Sequence, residues 1–343
     1  MKKALKFLIL KLMGFGTAFF RIFPPEISSH MALKSLNTLN TLGITLIQEK
    51  KHKDETELFG INFKNKIGLA AGLDKNGDYI NALGNLGFSF VELGTVTPKP
   101  QKGNMKPRLF RDKKNLSLLN RMGFNNKGVE YLVSKVKKVE THSHYKIAIS
   151  IGKNFDTSNE KAIDDYLFCL EKAYPVTNFI TVNISSPNTK DLRSLQSPRE
   201  LPNFLSALKE KQHSLTKEFG YKPLLVKISP DENQTEHLKE ISNILVSLEI
   251  DGIIATNTSV DHKHKKGEGG ISGALLFKKS TKVLSIMREN LGKDFPIIAS
   301  GGVTDVKTYW KKINSGADLV QIYTGMIYRG PQIIEEILNS IEQ

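Results

Sequence analysis

Cysteine is almost absent: Cys169 is the one thiol in 343 residues. A lone thiol excludes an intramolecular disulfide and a cysteine-built metal site, and it suits a reducing compartment. Acid is also scarce. Thirty-five Asp and Glu stand against 49 Lys and Arg, a net charge of +14. Such an excess points to an anionic partner or to a lysine-rich solvated surface. The basic residues are scattered, and no RNP, zinc-finger or helix-turn-helix pattern accompanies them, so no nucleic acid is expected. A long hydrophobic run is missing too. Residues 1–25 carry Lys2, Lys3, Lys6, Lys11 and Arg21 and no acid, and their longest charge-free stretch runs only from Leu12 to Phe20. Spanning a bilayer needs about 20 apolar residues. Lys11 also splits the apolar run of a signal peptide, and no convincing cleavage site follows.

What remains for that segment is an interfacial amphipathic one, basic on one side and aromatic on the other. A terminal helix packed on the protein itself is the alternative. Pro24-Pro25-Glu26 opens a second segment, in which Met31, Leu33, Leu36, Leu39 and Leu42 form a helical stripe that Gly43 stops. Lys50–Glu55 reads as a charged surface linker. The expected organisation is an N-terminal helical unit, 1–45, followed by a larger domain, 46–343.

In the larger domain short apolar runs alternate with amphipathic stretches. Candidate strands are Ile67–Ala71, Ser89–Gly94, Ile147–Ile151, Phe179–Ile184, Leu224–Ile228, Gly252–Thr256, Pro296–Ala299 and Leu319–Tyr323. Runs that are apolar on both faces belong to parallel sheets covered by helices. Eight such units predict an α/β fold, a (β/α)8 TIM barrel with a small N-terminal helical extension. A doubly wound open sheet is the runner-up, weakened by the lack of G-x-G-x-x-G after the first strand.

Barrel enzymes build their sites where the strands end. Here those places hold Ala71-Gly72-Leu73-Asp74-Lys75, Gly94-Thr95, Asn183-Ile184-Ser185-Ser186-Pro187-Asn188, Lys227, Thr256-Asn257-Thr258, Ser300-Gly301-Gly302 and Tyr323-Thr324-Gly325. Turn chemistry explains each singly. Together, two lysines and several amides in one barrel mouth suit a planar, amide-rich or anionic ligand. Gly301-Gly302 and Gly325 suit a phosphate, since bare backbone N–H groups approach oxygens only where side chains are missing. There is no Ser-His-Asp set, no H-E-x-x-H and no histidine at a strand end, so no metal is expected. Ser186 fits a general base in a dry site or a turn hydroxyl before Pro187. A lyase or isomerase using Lys75 or Lys227 as a Schiff-base amine, and a membrane-peripheral binding protein without turnover, also remain open.

The runs Ala71–Lys75, Gly94–Pro98, Asn120–Asn125, Asn183–Asn188, Ala255–Thr258, Gly269–Gly273 and Val320–Gly325, in that order, resemble dihydroorotate dehydrogenase across about residues 60–330. Ser186 stands where the soluble class has cysteine. With Pro25-Glu26 and His30 in the extension, the sequence is similar to class 2, the membrane-associated, quinone-dependent enzymes.

The resemblance implies an FMN-binding barrel that oxidises (S)-dihydroorotate to orotate in de novo pyrimidine (UMP) biosynthesis and passes electrons to a membrane quinone. It implies that Ser186 takes a proton from C5 as hydride leaves C6. Substrate would be met by Lys75, Asn120, Arg121, Met122, Gly123, Phe124, Asn183, Asn188, Asn257 and Thr258. The flavin would be met by Ala71, Gly72, Leu73, Asp74, Lys75, Thr95, Ser150, Asn183, Lys227, Thr256, Gly273, Gly302, Tyr323 and Thr324. Ser150 departs from the family's usual Asn, and its shorter side chain puts a direct flavin contact in question. Ala299-Ser300 departs where Gly-Val is usual. His30 and Arg111 would meet the quinone. The implied location is peripheral, on the cytoplasmic side of the cell inner membrane, with a monomer favoured.

Overall fold

The computed structural model describes residues 19–43, 55–139, 144–232 and 234–341. The basic segment before Phe19 and the expected unit boundary at 45/46 lie outside them.

Thirteen strands follow in chain order: β1 (Thr56–Leu58), β2 (Ile61–Phe63), β3 (Ile67–Leu69), β4 (Phe90–Val96), β5 (Leu109–Asp112), β6 (Ser117–Asn120), β7 (Lys146–Ile151), β8 (Phe179–Asn183), β9 (Leu224–Ile228), β10 (Gly252–Ala255), β11 (Gly270–Gly273), β12 (Ile297–Ser300) and β13 (Leu319–Ile322). Eight close into a parallel barrel in the order β3-β4-β7-β8-β9-β10-β12-β13, and Val320 pairing with Ile67 seals the ring. These are the eight strands expected from the sequence, in the expected order. The second runs further than expected, through Thr95 and Val96.

Side chains alternate along a strand, so every second residue points inward. The lower inward layer is apolar: Phe90, Ala148, Phe179, Leu225, Ile254, Ile298 and Leu319. One step higher stand Glu92, Ser150, Thr181, Lys227, Thr256, Ser300 and Gln321, all buried. A barrel floor of hydrocarbon thus supports a polar layer facing the strand ends. Gly68 leaves room for the Phe90 ring, which a Cβ there would meet at 2.0 Å. The β1–β2 hairpin plugs the bottom, where Phe63 lies 5.7 Å from Phe90 and 6.4 Å from Phe179, ring to ring.

A second feature absent from the sequence reading is a three-stranded antiparallel sheet, β5-β6-β11. It joins the loop after β4 to the loop after β10, with Asn120 opposite Gly270. The Pro25–Thr41 helix begins at a proline, as the first helical turn allows, and Gly43 beyond its end has φ +71°. Leu33 and Leu36 are buried as expected, while Leu42 ends the stripe exposed. Arg108 fixes this helix to the barrel: its Nη2 lies 2.7 Å from Glu26 Oε1. No described helix is long and apolar enough to cross a membrane.

Candidate active site

The upper polar layer opens into a cavity of about 150 Å³ at the carboxyl ends of the strands. Its walls bring together most of the expected positions: Ala71, Gly72, Lys75, Thr95, Asn120, Met122, Gly123, Phe124, Asn183, Ser186, Asn188, Lys227, Thr256, Asn257, Thr258, Gly273, Gly302, Tyr323 and Thr324.

A run of hydrogen bonds fixes one wall. Thr95 Oγ1 and Ser150 Oγ are 2.9 Å apart. Asn183 Nδ2 donates to Thr95 Oγ1 at 2.7 Å, and Asn257 Nδ2 donates to Asn183 Oδ1 at 3.1 Å and to Ser185 Oγ at 3.0 Å. Ser185 in turn donates to the Lys227 carbonyl. On the opposite side Asn188 Nδ2 donates to Asn120 Oδ1 at 3.0 Å, and Asn120 Nδ2 to the Gly270 carbonyl at 3.0 Å. Amides that hold one another in this way present the rest of their donors and acceptors at fixed angles. Ser186 Oγ is buried, and its one described partner is the Asn188 N–H at 3.4 Å.

Two cations line the same cavity. Lys75 Nζ donates to the Gly72 carbonyl at 2.7 Å. Burial, and then the charge of Arg108, bring its ammonium down to about 8. Lys227 Nζ lies 4.0 Å from Glu92 Oε2, and the same oxygen accepts from Gln321 Nε2 and from the Ala71 N–H. Glu92 Oε1 and Gln321 Oε1 are buried with no described partner. Sequence reasoning missed both residues as site members. The signal was there: a carboxylate inside the apolar run Phe90–Val96 has to face something.

The expected residues that do not line the cavity have other positions. Asp74 is buried beneath the first loop, where its carboxylate accepts from the N–H groups of Asn76, Asp78 and Tyr79. Burial lifts its carboxyl despite those bonds. Asp74 therefore shapes the turn that presents Lys75. Leu73 faces a second cavity. Arg121 turns outward, its guanidinium 4.9 Å from the Phe110 ring centroid. Ser150 stands behind Thr95, fully buried.

The glycines form a cradle at one end. Gly273, Gly301 and Gly302 all have positive φ. A Cβ on Gly302 would meet Phe277 Cα at 2.4 Å, and one on Gly273 the Leu116 carbonyl at 2.3 Å. Only glycine fits here, and its bare backbone faces the cavity beside Thr324. A phosphate monoester suits such a place, and the amide wall with unpaired buried acceptors and Lys227 suits the edge of a flavin ring. The residues present therefore fit flavin mononucleotide.

Tyr323, Leu109 and Leu118 line this cavity on one side and a second cavity on the other. The second holds about 530 Å³, walled by Pro25, Ala32, Leu33, Leu36 and Leu39 of the N-terminal helix, by Leu73, and by Met326 and Ile327. Burial pushes the Tyr323 hydroxyl up to about 12. Arg111 lines this cleft, and its Nη1 donates to the carbonyls of Arg21 (2.8 Å) and Phe23 (2.9 Å). His30 is exposed and lines neither cavity. At about 100° per residue it sits roughly 140° around the helix from Pro25, off the face that forms the cleft.

A sequence profile of the family described as dihydroorotate dehydrogenase matches residues 54–343. The dihydroorotate dehydrogenase (quinone) of Nitrosospira multiformis is 47% identical over 322 residues, 91% of either chain. That of Buchnera aphidicola is 49% identical over 296 residues, 84% of this chain and 87% of its own. Among solved structures, dihydroorotate dehydrogenase from Eimeria tenella in complex with ferulenol superposes with a TM-score of 0.83 at 33% identity, covering 92% of this chain and 90% of that one. With barrel, amide wall and glycine cradle in one place and relatives matching along most of its length, this chain belongs to the dihydroorotate dehydrogenase family.

Proposed function

We propose that this chain oxidises (S)-dihydroorotate to orotate in pyrimidine biosynthesis, using flavin mononucleotide in the barrel mouth and a quinone in the apolar cleft. The observation that carries the reading is the shared wall: a polar cavity and an apolar one meet at Tyr323, Leu109 and Leu118. One enzyme serving a soluble anion and a lipid-soluble acceptor needs two such neighbouring pockets.

When bound, flavin mononucleotide would supply the two-electron acceptor for hydride leaving C6 and the redox link to the quinone. The chain supplies the rest. Ser186 removes the C5 proton, with bulk water kept out of its buried position. Asn120, Asn183, Asn188, Asn257 and Thr258 hold the ring and carboxylate of dihydroorotate, while Met122, Gly123 and Phe124 close over it. Lys75 adds positive charge for that anion. Gly273, Gly302, Tyr323 and Thr324 hold the phosphate end of the cofactor, and Ala71, Gly72, Thr95 and Thr256 its ring. Lys227 places a cation where the flavin gains charge on reduction, and a preoriented charge stabilises that state without reorganisation. Asp74 and Ser150 act one step back, through the loop and through Thr95, and Leu73 walls the quinone cleft. Arg111 meets the quinone head group, and His30 stays on the helix surface.

The N-terminal unit, placed by this reading at 1–45, is the side turned to a membrane. Phe19, Ile22, Ile27 and Leu42 are exposed large apolar residues of that unit. Each lysine or arginine near an anionic surface adds about 1 kcal/mol of attraction. This supports peripheral binding at the inner membrane, cytoplasmic side.

The test is an assay of the purified protein for dihydroorotate oxidation with a quinone, fumarate or NAD as acceptor. Flavin absorbance and turnover with quinone alone are expected. A colourless protein, or equal rates with NAD, would overturn the reading.

A further inference from the structure

Lys312 lies on the Val306–Asn314 helix, which Asp305 caps by accepting from the Thr308 N–H at 2.8 Å. Its side chain is fully buried. Among the described residues it has no carboxylate partner. Its Nζ donates to Ser280 Oγ at 2.7 Å and lies 5.4 Å from the centroid of the Phe277 ring. An ammonium taken from water without a counter-charge is costly. It lines neither the polar cavity nor the apolar cleft.

Its neighbours point to a reason. Ser280 Oγ donates in turn to the Gly301 carbonyl at 2.9 Å. Phe277 is the residue against which Gly302 is packed too closely for any Cβ. Gly301 and Gly302 line the cavity; Ser280 and Lys312 do not. The lysine therefore stands behind the glycine turn whose front faces the cavity.

We propose that Lys312 is a positioning residue for the cofactor's phosphate, acting through Ser280 and the Gly301–Gly302 turn and supplying from behind the positive charge that the cradle itself lacks. The inference rests on the proposed place of flavin mononucleotide. Burial brings the Lys312 ammonium down to about 7. A phosphate dianion across the turn favours the protonated form. By linkage, the protonated form favours the phosphate equally.

The test compares two ligands that differ only in the phosphate. The full-length protein is stripped of flavin and titrated with flavin mononucleotide and with riboflavin, followed by flavin fluorescence. Lys312→Met keeps the length and apolar packing of the stem and removes the charge. It should weaken flavin mononucleotide about tenfold, a typical coupling between two sites, and riboflavin by less than about twofold. Ser280→Ala, which cuts the link and leaves the lysine, should show the same selectivity and serves if Lys312→Met does not fold. Equal losses for both flavins, or no loss for flavin mononucleotide, overturn the inference. If the unaltered protein binds neither flavin, the cofactor reading itself has failed.

Discussion

Lys227 Nζ and Glu92 Oε2 stand 4.0 Å apart inside the closed barrel, on strands that do not pair with each other. The carboxylate is held by Gln321 and the Ala71 N–H, so it fixes the height of the ammonium beneath the cavity. Lys227→Ala leaves Glu92 buried without a cation. Breaking a buried pair from one side costs about 3–5 kcal/mol, and this looser pair should fall at the low end. The midpoint potential of the bound flavin should also drop, since the reduced ring loses its cation. Adding Glu92→Gln should restore much of the stability but not the potential. Urea melts and redox titration separate the two effects. A double variant as unstable as the single one, or a potential that does not move, removes the assigned role.

Ser186 presents a sharper case because it has so few partners. If its hydroxyl takes the C5 proton, Ser186→Ala should slow flavin reduction by dihydroorotate about 10²–10⁴-fold, the usual scale for an acid–base group. Flavin content and orotate binding should stay as they are. Stopped-flow bleaching of the flavin reads this directly, and a nearly normal rate excludes Ser186 as the base.

The apolar cleft can be filled without touching the barrel. Ala32 faces it from the helix, beside Leu33 and Leu36. Ala32→Trp should raise KM for quinone and slow flavin reoxidation while leaving reduction by dihydroorotate unchanged. Should quinone turnover proceed as before, the acceptor enters elsewhere.

The barrel was legible because parallel strands buried on both faces are written as short, continuous apolar runs such as Ile147–Ile151 and Leu224–Ile228. The residues at their ends followed from that register: once Leu225 faces inward, so does Lys227. What the sequence did not reveal depends on distance along the chain. The pairing of Asn120 with Gly270 joins two loops whose four-residue strands are too short to stand out, the second broken further by Gly270 and Gly273. Glu92 looked like an interruption in a strand until Lys227 and Gln321 came to face it. Arg121 and His30 belong to matching motifs, yet their side chains turn away from the cavities. A motif fixes a backbone position and leaves the direction to local packing. For His30 the helical phase decides, a step that was available from the sequence once Leu33, Leu36 and Leu39 were known to line the cleft.

The loop carrying Ser186 is tied down by a cluster outside the cavity, and that cluster is sensitive to acid. Arg193 Nη1 and Lys279 Nζ each lie 2.8 Å from Asp231, while Arg193 also donates to the carbonyls of Ser185 (3.3 Å) and Thr258 (3.0 Å). Through Arg193, Asp231 thus braces two cavity-lining loops at once. Burial works to raise its carboxyl, but Lys279, Ser259, the Val260 N–H and Arg193 outweigh it and hold the group down to about 2, below the ordinary 3.8. A folded-state value below the unfolded one means stability that is complete above about pH 4 and is lost as the pH falls through about 2. Partial exposure screens the pair, so the contribution is at most about 2 kcal/mol. Asp231→Asn should therefore lower stability at pH 7 by up to that amount and raise KM for dihydroorotate, because Ser185 and Thr258 lose their shared anchor. The stability gap between the two proteins should close as the pH drops from 4 toward 2. Urea unfolding at pH 7, 4 and 2.5 measures it, and a gap independent of pH would show that the carboxylate charge plays no part in bracing the loops.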